Sequence, residues 1–162
     1  MNRAHGFEVD VLRIEGGSPL EGEVFVRGAK NTVPKNMITS LLTTDTCIIN
    51  NVSRVADVNI VSDMIKAFGG NVRFRGNCLV QINTPTLTQI PLEQMTSFSG
   101  KSRIPILACG PMLVRTGHVI VPALGGCNIG SRPIDFHIEA LRALGARVEV
   151  DETYIEMFAD RL

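Results

Sequence analysis

A cysteine in a glycine-rich loop is the side chain of this sequence best suited to proton transfer or covalent chemistry. Cys127 lies between Gly126 and Gly130, and Arg132 follows at the start of a predicted helix. Positive charge and helix N-termini favour a thiolate, so we expect the pKa of Cys127 to fall below the roughly 8.5 of a free thiol. The glycines would let the loop close over a substrate. From the residues alone, an exposed but inert thiol is an equally good interpretation.

Basic residues at predicted helix N-termini are the second candidate feature. Lys30 and Asn31 stand at the start of one predicted helix, and Ser102 and Arg103 at the start of another. Helix N-termini present unpaired N–H groups and a partial positive charge, so a lysine or arginine there makes a candidate anion site. The alternative is a solvated charge beside an ordinary N-cap.

The other polar residues predict little chemistry. His5 and His118 have no evident partner and His137 is a lone helical histidine, so no Cys–His pair is indicated. Three carboxylates are expected to cap helices or to lie exposed, namely Asp57, Asp63 and Glu139. Three further cysteines lack the spacing of a zinc site and are expected to be small buried residues: Cys47, Cys78 and Cys109. We therefore expect no metal.

The elements that position these residues occur twice. The segment Lys66–Arg73 recurs as Arg142–Glu149, which indicates an internal repeat. Further upstream Ile49 corresponds to Ile120, and the shorter offset there means that the second copy carries five additional residues. We assign all five to the loop 122–132, which surrounds the cysteine.

Each copy predicts a helix, a strand, a second helix and two short strands, which is the α/β class. Apolar residues follow helical spacing in Val58–Phe68 and Ile134–Leu144, and a glycine follows each. Strands are predicted at 9–14, 23–26, 47–49, 71–74, 78–82, 119–121, 147–150 and 154–158. The predicted division is an N-terminal strand segment (8–21), a first repeat (22–83), a connector (84–98) and a second repeat with the cysteine loop (99–160).

Composition excludes several classes of partner. Sixteen basic side chains balance sixteen acidic ones, so the chain lacks the broad positive field that nucleic acid or an anionic membrane would require. The near-apolar run Ile104–Val114 contains two prolines and a glycine, and it is shorter than the roughly 20 residues that span a bilayer. No signal-peptide pattern opens the sequence. We expect a cytoplasmic protein with no nucleic-acid or membrane partner.

Three motifs together resemble the UDP-N-acetylglucosamine 1-carboxyvinyltransferases, a family of enolpyruvyl transferases. These motifs are Gly28-Ala29-Lys30-Asn31 after a short strand, Arg103 in the second copy, and the segment Leu124–Asp135. The resemblance implies an enzyme that moves the enolpyruvyl group of phosphoenolpyruvate to the 3-hydroxyl of UDP-N-acetylglucosamine and releases phosphate. That reaction is the first committed step of peptidoglycan precursor synthesis, which serves cell-wall biogenesis, cell shape and cell division. No cofactor is implied.

The resemblance also implies roles for individual residues. Cys127 would be the catalytic general acid, and fosfomycin alkylates the matching thiol in this family. Phosphoenolpyruvate would contact Lys30, Asn31 and Arg132. The residues implied for UDP-N-acetylglucosamine are Arg103, Arg132, Pro133, Ile134, Asp135 and Phe136.

The family fold is an inside-out α/β barrel of two domains, each with three βαβαββ units. By this resemblance the chain holds two units, and the third unit and second domain are absent. We therefore expect little turnover from the chain alone, and unsealed apolar faces that favour a complementary chain or self-association.

Other functions remain open at this point. A related shikimate-phosphate enolpyruvyl transferase would share the fold, but the cysteine loop argues against it. An enolpyruvyl transferase acting on another uridine nucleotide would use the same residues. The alternative from another class is a non-catalytic module that binds a nucleotide sugar or pairs with a longer transferase.

Overall fold

The chain twice follows the order helix, strand, helix, strand, strand, with a short helix between the two copies. The computed structural model describes residues 13–100, 102–122, 124 and 133–162. Its helices are α1 (Thr32–Thr39), α2 (Ala56–Ala67), α3 (Leu92–Met95), α4 (Cys109–Thr116) and α5 (Asp135–Ala143). Its strands are β1 (Cys47–Ile49), β2 (Asn71–Arg75), β3 (Leu79–Asn83), β4 (His118–Pro122), β5 (Arg147–Val150) and β6 (Tyr154–Phe158). Short 3-10 turns cover Ser40–Leu42, Thr96–Phe98 and Ile104–Ala108.

The strands form two antiparallel sheets with the same order. The first sheet is β1-β3-β2 and the second is β4-β6-β5. In each sheet the third strand of its repeat lies in the centre and alternates buried and half-buried residues. One face of each sheet therefore packs on helices, and the other, here called the outer face, is turned to solvent. The predicted α/β repeat class and six of the predicted strands are confirmed.

The prediction of a strand at 23–26 is wrong. Residues 23–29 have no regular structure, and Val24, Phe25 and Val26 are exposed. A strand needs a hydrogen-bonded neighbour, and no described strand pairs with this segment. The predicted strand at 9–14 lies mostly outside the described residues, and Arg13 and Ile14 are not in a strand.

Strand register corrects the position of the additional residues in the second repeat. Ile48 pairs with Gln81 in the first sheet, and Ile120 pairs with Glu156 at the equivalent place in the second. Ile120 thus corresponds to Ile48 rather than to Ile49. One additional residue therefore precedes β4, where Gly117 ends α4 in the left-handed region with φ 72°. The remaining four follow the strand.

The predicted connector, residues 84–98, packs several of its side chains into the core. Leu87, Ile90, Met95 and Phe98 are buried in the cluster that forms the common core of both repeats. The Gln89 side chain accepts a hydrogen bond from the Ile120 N–H of the edge strand β4 at 3.1 Å. Sequence periodicity missed this role because the connector buries single residues in an irregular chain.

The side chain of Arg115 links the second repeat to the first by hydrogen bonds. This residue of α4 donates to the carbonyl oxygens of Leu41 at 2.8 Å and Thr43 at 3.0 Å, near the end of the first helix. Its other terminal nitrogen donates to the carbonyls of Thr84 at 2.9 Å and Pro85 at 3.3 Å. One guanidinium therefore satisfies four carbonyl groups that precede the second repeat.

Candidate active site

The segment Gly28–Asn31 is held in place by its backbone. The Gly28 N–H donates to the Asn51 carbonyl at 2.9 Å, and the Asn51 side-chain amide donates to the Val26 carbonyl at 3.2 Å. A Cβ at Gly28 would collide with the Asn51 carbonyl oxygen and would lie 3.0 Å from Val33 Cγ2. Glycine is therefore required for this close approach, which fixes the start of α1.

Lys30 and Asn31 lie at that start with unengaged side chains. Both are exposed, and Asn31 occupies the N-cap position without making a side-chain cap hydrogen bond. Within the described part of the chain, neither side chain has a hydrogen-bond or ion-pair partner. The first two helix N–H groups, of Thr32 and Val33, both donate to the Ala29 carbonyl, at 3.0 and 3.2 Å, so an anion here would be received by the lysine and amide side chains. The alternative of an ordinary side-chain cap does not hold at Asn31.

The corresponding place in the second repeat is organised differently. Ser102 is buried, and its hydroxyl accepts from the Ile104 N–H two residues further on at 3.2 Å, which forms a Ser/Thr turn just before the N-cap residue. The same hydroxyl donates to Asp57 Oδ1, in the first turn of α2, at 2.7 Å. The half-buried Arg103 follows Ser102 and takes the N-cap position of the turn Ile104–Ala108. Asp57 thus joins the first repeat to the turn that carries Arg103.

The predicted nucleotide residues lie at the start of α5. Pro133, Asp135 and Phe136 are exposed, with Phe136 at 79%, whereas Ile134 packs partly against the core. An aromatic ring this exposed contributes little to folding and is available for contact with a ligand. Asp135 places a carboxylate in the first helical turn.

Two predicted residues, Cys127 and Arg132, lie outside the described residues, so the roles predicted for them stay predictions. Among the described cysteines, burial raises the pKa of the Cys109 thiol from 9.0 to about 12. Cys109 is therefore an inert core residue, as expected. Cys47 and Cys78 are only half-buried, so the expectation that they are buried is wrong.

His118 has a partner that the sequence did not reveal. Its Nε2 lies 2.7 Å from Glu156 Oε1, and its ring stacks on Phe158 at 4.6 Å between centroids. Strand pairing brings these residues together from 38 or more positions apart, so only the register could have predicted them. Asp57 and Arg115 were missed for the same reason, since their partners lie in the other repeat.

Two expectations concern absences in the described ranges. Across these ranges, no group of three or more histidine, cysteine, aspartate or glutamate side chains is placed to hold a metal ion. No helix in the same part of the chain is long and apolar enough to cross a membrane.

The repeated α/β units, with polar and basic residues at their helix starts, define the class of enolpyruvyl-transferase-like folds. A crystal structure of the enolpyruvyl transferase NikO from Streptomyces tendae matches 91% of this chain and 32% of that chain, with a TM-score of 0.73 at 15% identity. This similarity establishes the fold. The EPSP synthase (3-phosphoshikimate 1-carboxyvinyltransferase) family matches residues 14–159, and the chain belongs to this family.

Curated relatives narrow the similarity further. A UDP-N-acetylglucosamine 1-carboxyvinyltransferase of Protochlamydia amoebophila is 43% identical over 143 residues, which cover 87% of this chain and 30% of the relative. A protein of the same name from Dichelobacter nodosus is 40% identical over 156 residues, which cover 95% of this chain and 36% of the relative. The chain thus spans about a third of the length of these relatives.

Proposed function

We propose that this chain supplies part of the active site of a UDP-N-acetylglucosamine 1-carboxyvinyltransferase. The identity of 43% to a relative of that name supports this substrate pair over 3-phosphoshikimate. The observation that carries the proposal is the start of α1, where Lys30 and Asn31 are exposed and their side chains have no partner among the described residues. Phosphoenolpyruvate, with a phosphate and a carboxylate, is the kind of anion that such donors bind.

In the proposed reaction the 3-hydroxyl of the sugar adds to the central carbon of phosphoenolpyruvate. The hydroxyl releases its proton as the C–O bond forms, Cys127 donates a proton to the methylene carbon, and the thiolate is reprotonated from solvent. Phosphate and a methyl proton then leave together, which restores the double bond. Lys30, Asn31 and Arg132 hold the phosphate and carboxylate, and their positive charge and N–H groups stabilise the charge that develops. Arg103 and the segment Pro133–Phe136 hold the UDP-sugar.

Asp57 has a place in this proposal as a positioning residue. Its hydrogen bond holds Ser102, the residue directly before Arg103, whose hydroxyl also accepts from the Ile104 N–H. Because the chain covers about a third of the relatives, we propose that turnover requires further chain and that the binding elements are present here.

The test is calorimetric titration of the chain with phosphoenolpyruvate. Lys30→Met should weaken binding about tenfold, since it removes one charge-assisted hydrogen bond. Lys35→Met is the matched control, because Lys35 is an exposed lysine on the same helix. Equal affinity of the two variants would contradict the role of Lys30, whatever the absolute affinity.

A second candidate function is a non-catalytic module that pairs with a longer transferase. The exposed apolar run Val24, Phe25 and Val26, at 82–89% exposure, favours it because such a run is typical of a surface covered by another chain. Sedimentation of the chain with and without a full-length transferase tests it. A complex together with no phosphoenolpyruvate binding would favour this function over the first.

A further inference from the structure

The outer face of the first sheet carries a polar cavity, and its lining residues do not include any residue predicted for catalysis or substrate binding. The cavity measures about 250 Å³ and is lined by Thr46, Asn71, Arg73, Gln81 and Asn83. Arg73 and Gln81 lie opposite each other in the middle of β2 and β3, Asn71 and Asn83 lie opposite each other at the ends of these strands, and Thr46 directly precedes β1. The buried side chains Val80 and Ile82 alternate with them and point to the other face, so the cavity is on the solvent side.

The hydrogen bonds among the cavity residues occupy acceptor atoms of Gln81 and Thr46, while donor groups of the same side chains stay available to a ligand. Arg75 Nε donates to Gln81 Oε1 at 3.1 Å, which occupies the carbonyl oxygen of this side chain, and the Gln81 amide nitrogen has no partner within the described ranges. The Asn83 amide donates to the Thr44 carbonyl at 3.2 Å and to Thr46 Oγ1 at 3.4 Å, so the Thr46 hydroxyl proton remains free. The guanidinium of Arg73 has no partner in the described ranges.

The charge around the cavity is positive. None of the strands β1, β2 and β3 contains an aspartate or glutamate, whereas Arg73 and Arg75 stand on the same face of β2. Asp45 precedes Thr46 in the chain but does not line the cavity. A guanidinium beside an amide N–H₂ and a hydroxyl is an arrangement that matches an anion with two or more oxygen acceptors.

The equivalent positions of the second repeat carry different side chains, which contact one another. Register equates Arg73 with Glu149 and Gln81 with Glu156, and it equates Asn71 with Arg147 and Asn83 with Phe158. There the side chains pair with one another: Arg147 Nε lies 3.4 Å from Glu149 Oε1, and the Arg147 guanidinium lies 4.6 Å from the centre of the Phe158 ring. His118, which replaces Thr46, meets Glu156 at 2.7 Å. The unpaired donors thus belong to the first repeat and not to the repeated fold.

We propose that the outer face of the first sheet binds a compact oxyanion, a phosphate or carboxylate group, between Arg73, Gln81 and Thr46. This site is on the face opposite the helices and does not depend on the proposed transfer reaction. The Arg73 guanidinium makes bidentate hydrogen bonds to two ligand oxygens, and the Gln81 amide and the Thr46 hydroxyl donate to the remaining oxygen atoms. The side-chain oxygen of Asn83 can accept a hydrogen bond from a ligand hydroxyl.

The test is heteronuclear NMR titration of the nitrogen-15-labelled chain with inorganic phosphate and, separately, with malonate, at constant ionic strength. We expect saturable shifts of the Gln81 side-chain amide and of the Thr46 and Arg73 backbone amides. Tighter binding of phosphate would identify a phosphoryl group as the natural ligand group, and tighter binding of malonate a carboxylate. Shifts that never saturate, or that follow ionic strength alone, would overturn the proposal.

Variants separate the site from general electrostatics. Arg73→Gln should weaken binding about tenfold, and Arg73→Lys, which keeps the charge but not the fork, should fall between it and the parent chain. Arg147→Gln is the matched control, since it removes an arginine from the outer face of the other sheet, and it should leave affinity within about twofold. Equal loss in Arg73→Gln and Arg147→Gln would refute a specific site.

Discussion

The first repeat leaves polar side chains unpaired where the second repeat pairs them with other protein groups. At the start of the first helix, Asn31 makes no cap hydrogen bond, whereas the Ser102 hydroxyl at the corresponding position accepts from the Ile104 N–H and donates to Asp57. On the outer sheet faces, Arg73 has no partner among the described residues, whereas Glu149 is paired with Arg147. The strand order is the same in both repeats. The comparison teaches that the repeated backbone sets the frame, while unpaired donors mark where a ligand can bind.

The largest expected loss of stability comes from the Arg115 side chain, whose hydrogen bonds join the second repeat to the preceding part of the chain. Arg115→Met leaves the carbonyls of Leu41, Thr43, Thr84 and Pro85 without this donor, and we expect a loss of about 3 kcal/mol in the free energy of unfolding. Urea unfolding measures it. Arg142→Met is the control, because Arg142 is exposed and donates to one carbonyl, of Val148 at 3.2 Å; it should cost less than about 0.5 kcal/mol. Similar losses would contradict the account.

A glycine in one repeat and an alanine in the other give the next comparison. A Cβ at Gly70 would lie 2.7 Å from Ile65 Cγ2 and 2.9 Å from Thr84 Cγ2, whereas the corresponding residue of the second repeat, Ala146, carries a Cβ in the core. Gly70→Ala should lower the free energy of unfolding by about 2 kcal/mol through overpacking. Ala146→Gly should lower it by about 1 kcal/mol through chain entropy and lost contact. A stabilised Gly70→Ala variant would show that the first repeat has room there.

A buried thiol makes the second repeat sensitive to alkaline pH. Burial raises the pKa of Cys109 from 9.0 to about 12, and Ile38 takes the corresponding place in the first repeat. The thiol ionises at lower pH in the unfolded chain than in the folded one. The contribution of the buried thiol to the free energy of unfolding is therefore complete below pH 9.0 and is lost as pH rises toward about 12. The loss is about 1 kcal/mol per pH unit in that window. Cys109→Val should remove this loss in urea unfolding, and Cys78→Val, at a half-buried site, should not. Equal pH slopes in both variants would contradict the assignment.

The smallest expected effects distinguish the two helix starts. Ser102→Ala removes the hydrogen bonds of the buried hydroxyl to the Ile104 N–H and to Asp57 and should cost about 1 kcal/mol of unfolding free energy. Asn31→Ala should cost nearly nothing, because that side chain makes no cap bond. Urea unfolding of both variants decides this. A larger loss at Asn31 would reverse the comparison.

The sequence predicted the repeat and its strands because strand and helix periods are local and recur in Lys66–Arg73 and Arg142–Glu149. It predicted a strand at 23–26 wrongly, since an alternating segment forms a strand only beside a partner. It placed Lys30 and Asn31 at a helix start correctly, because the start of a helix is a local signal. The partners of Arg115, Asp57 and His118 depend on packing between distant segments, so no local pattern could indicate them.

The most direct test of the central claim is the location of a fosfomycin adduct on this chain by intact-mass and peptide mass spectrometry, with and without UDP-N-acetylglucosamine. The account predicts selective labelling of Cys127, enhanced by the nucleotide sugar and reduced in Lys30→Met but not in Lys35→Met. Cys109 should stay unlabelled, because burial holds its thiol protonated. Equal labelling of Cys47, Cys78 and Cys127, with no response to the nucleotide sugar, would contradict a substrate-binding site in this chain.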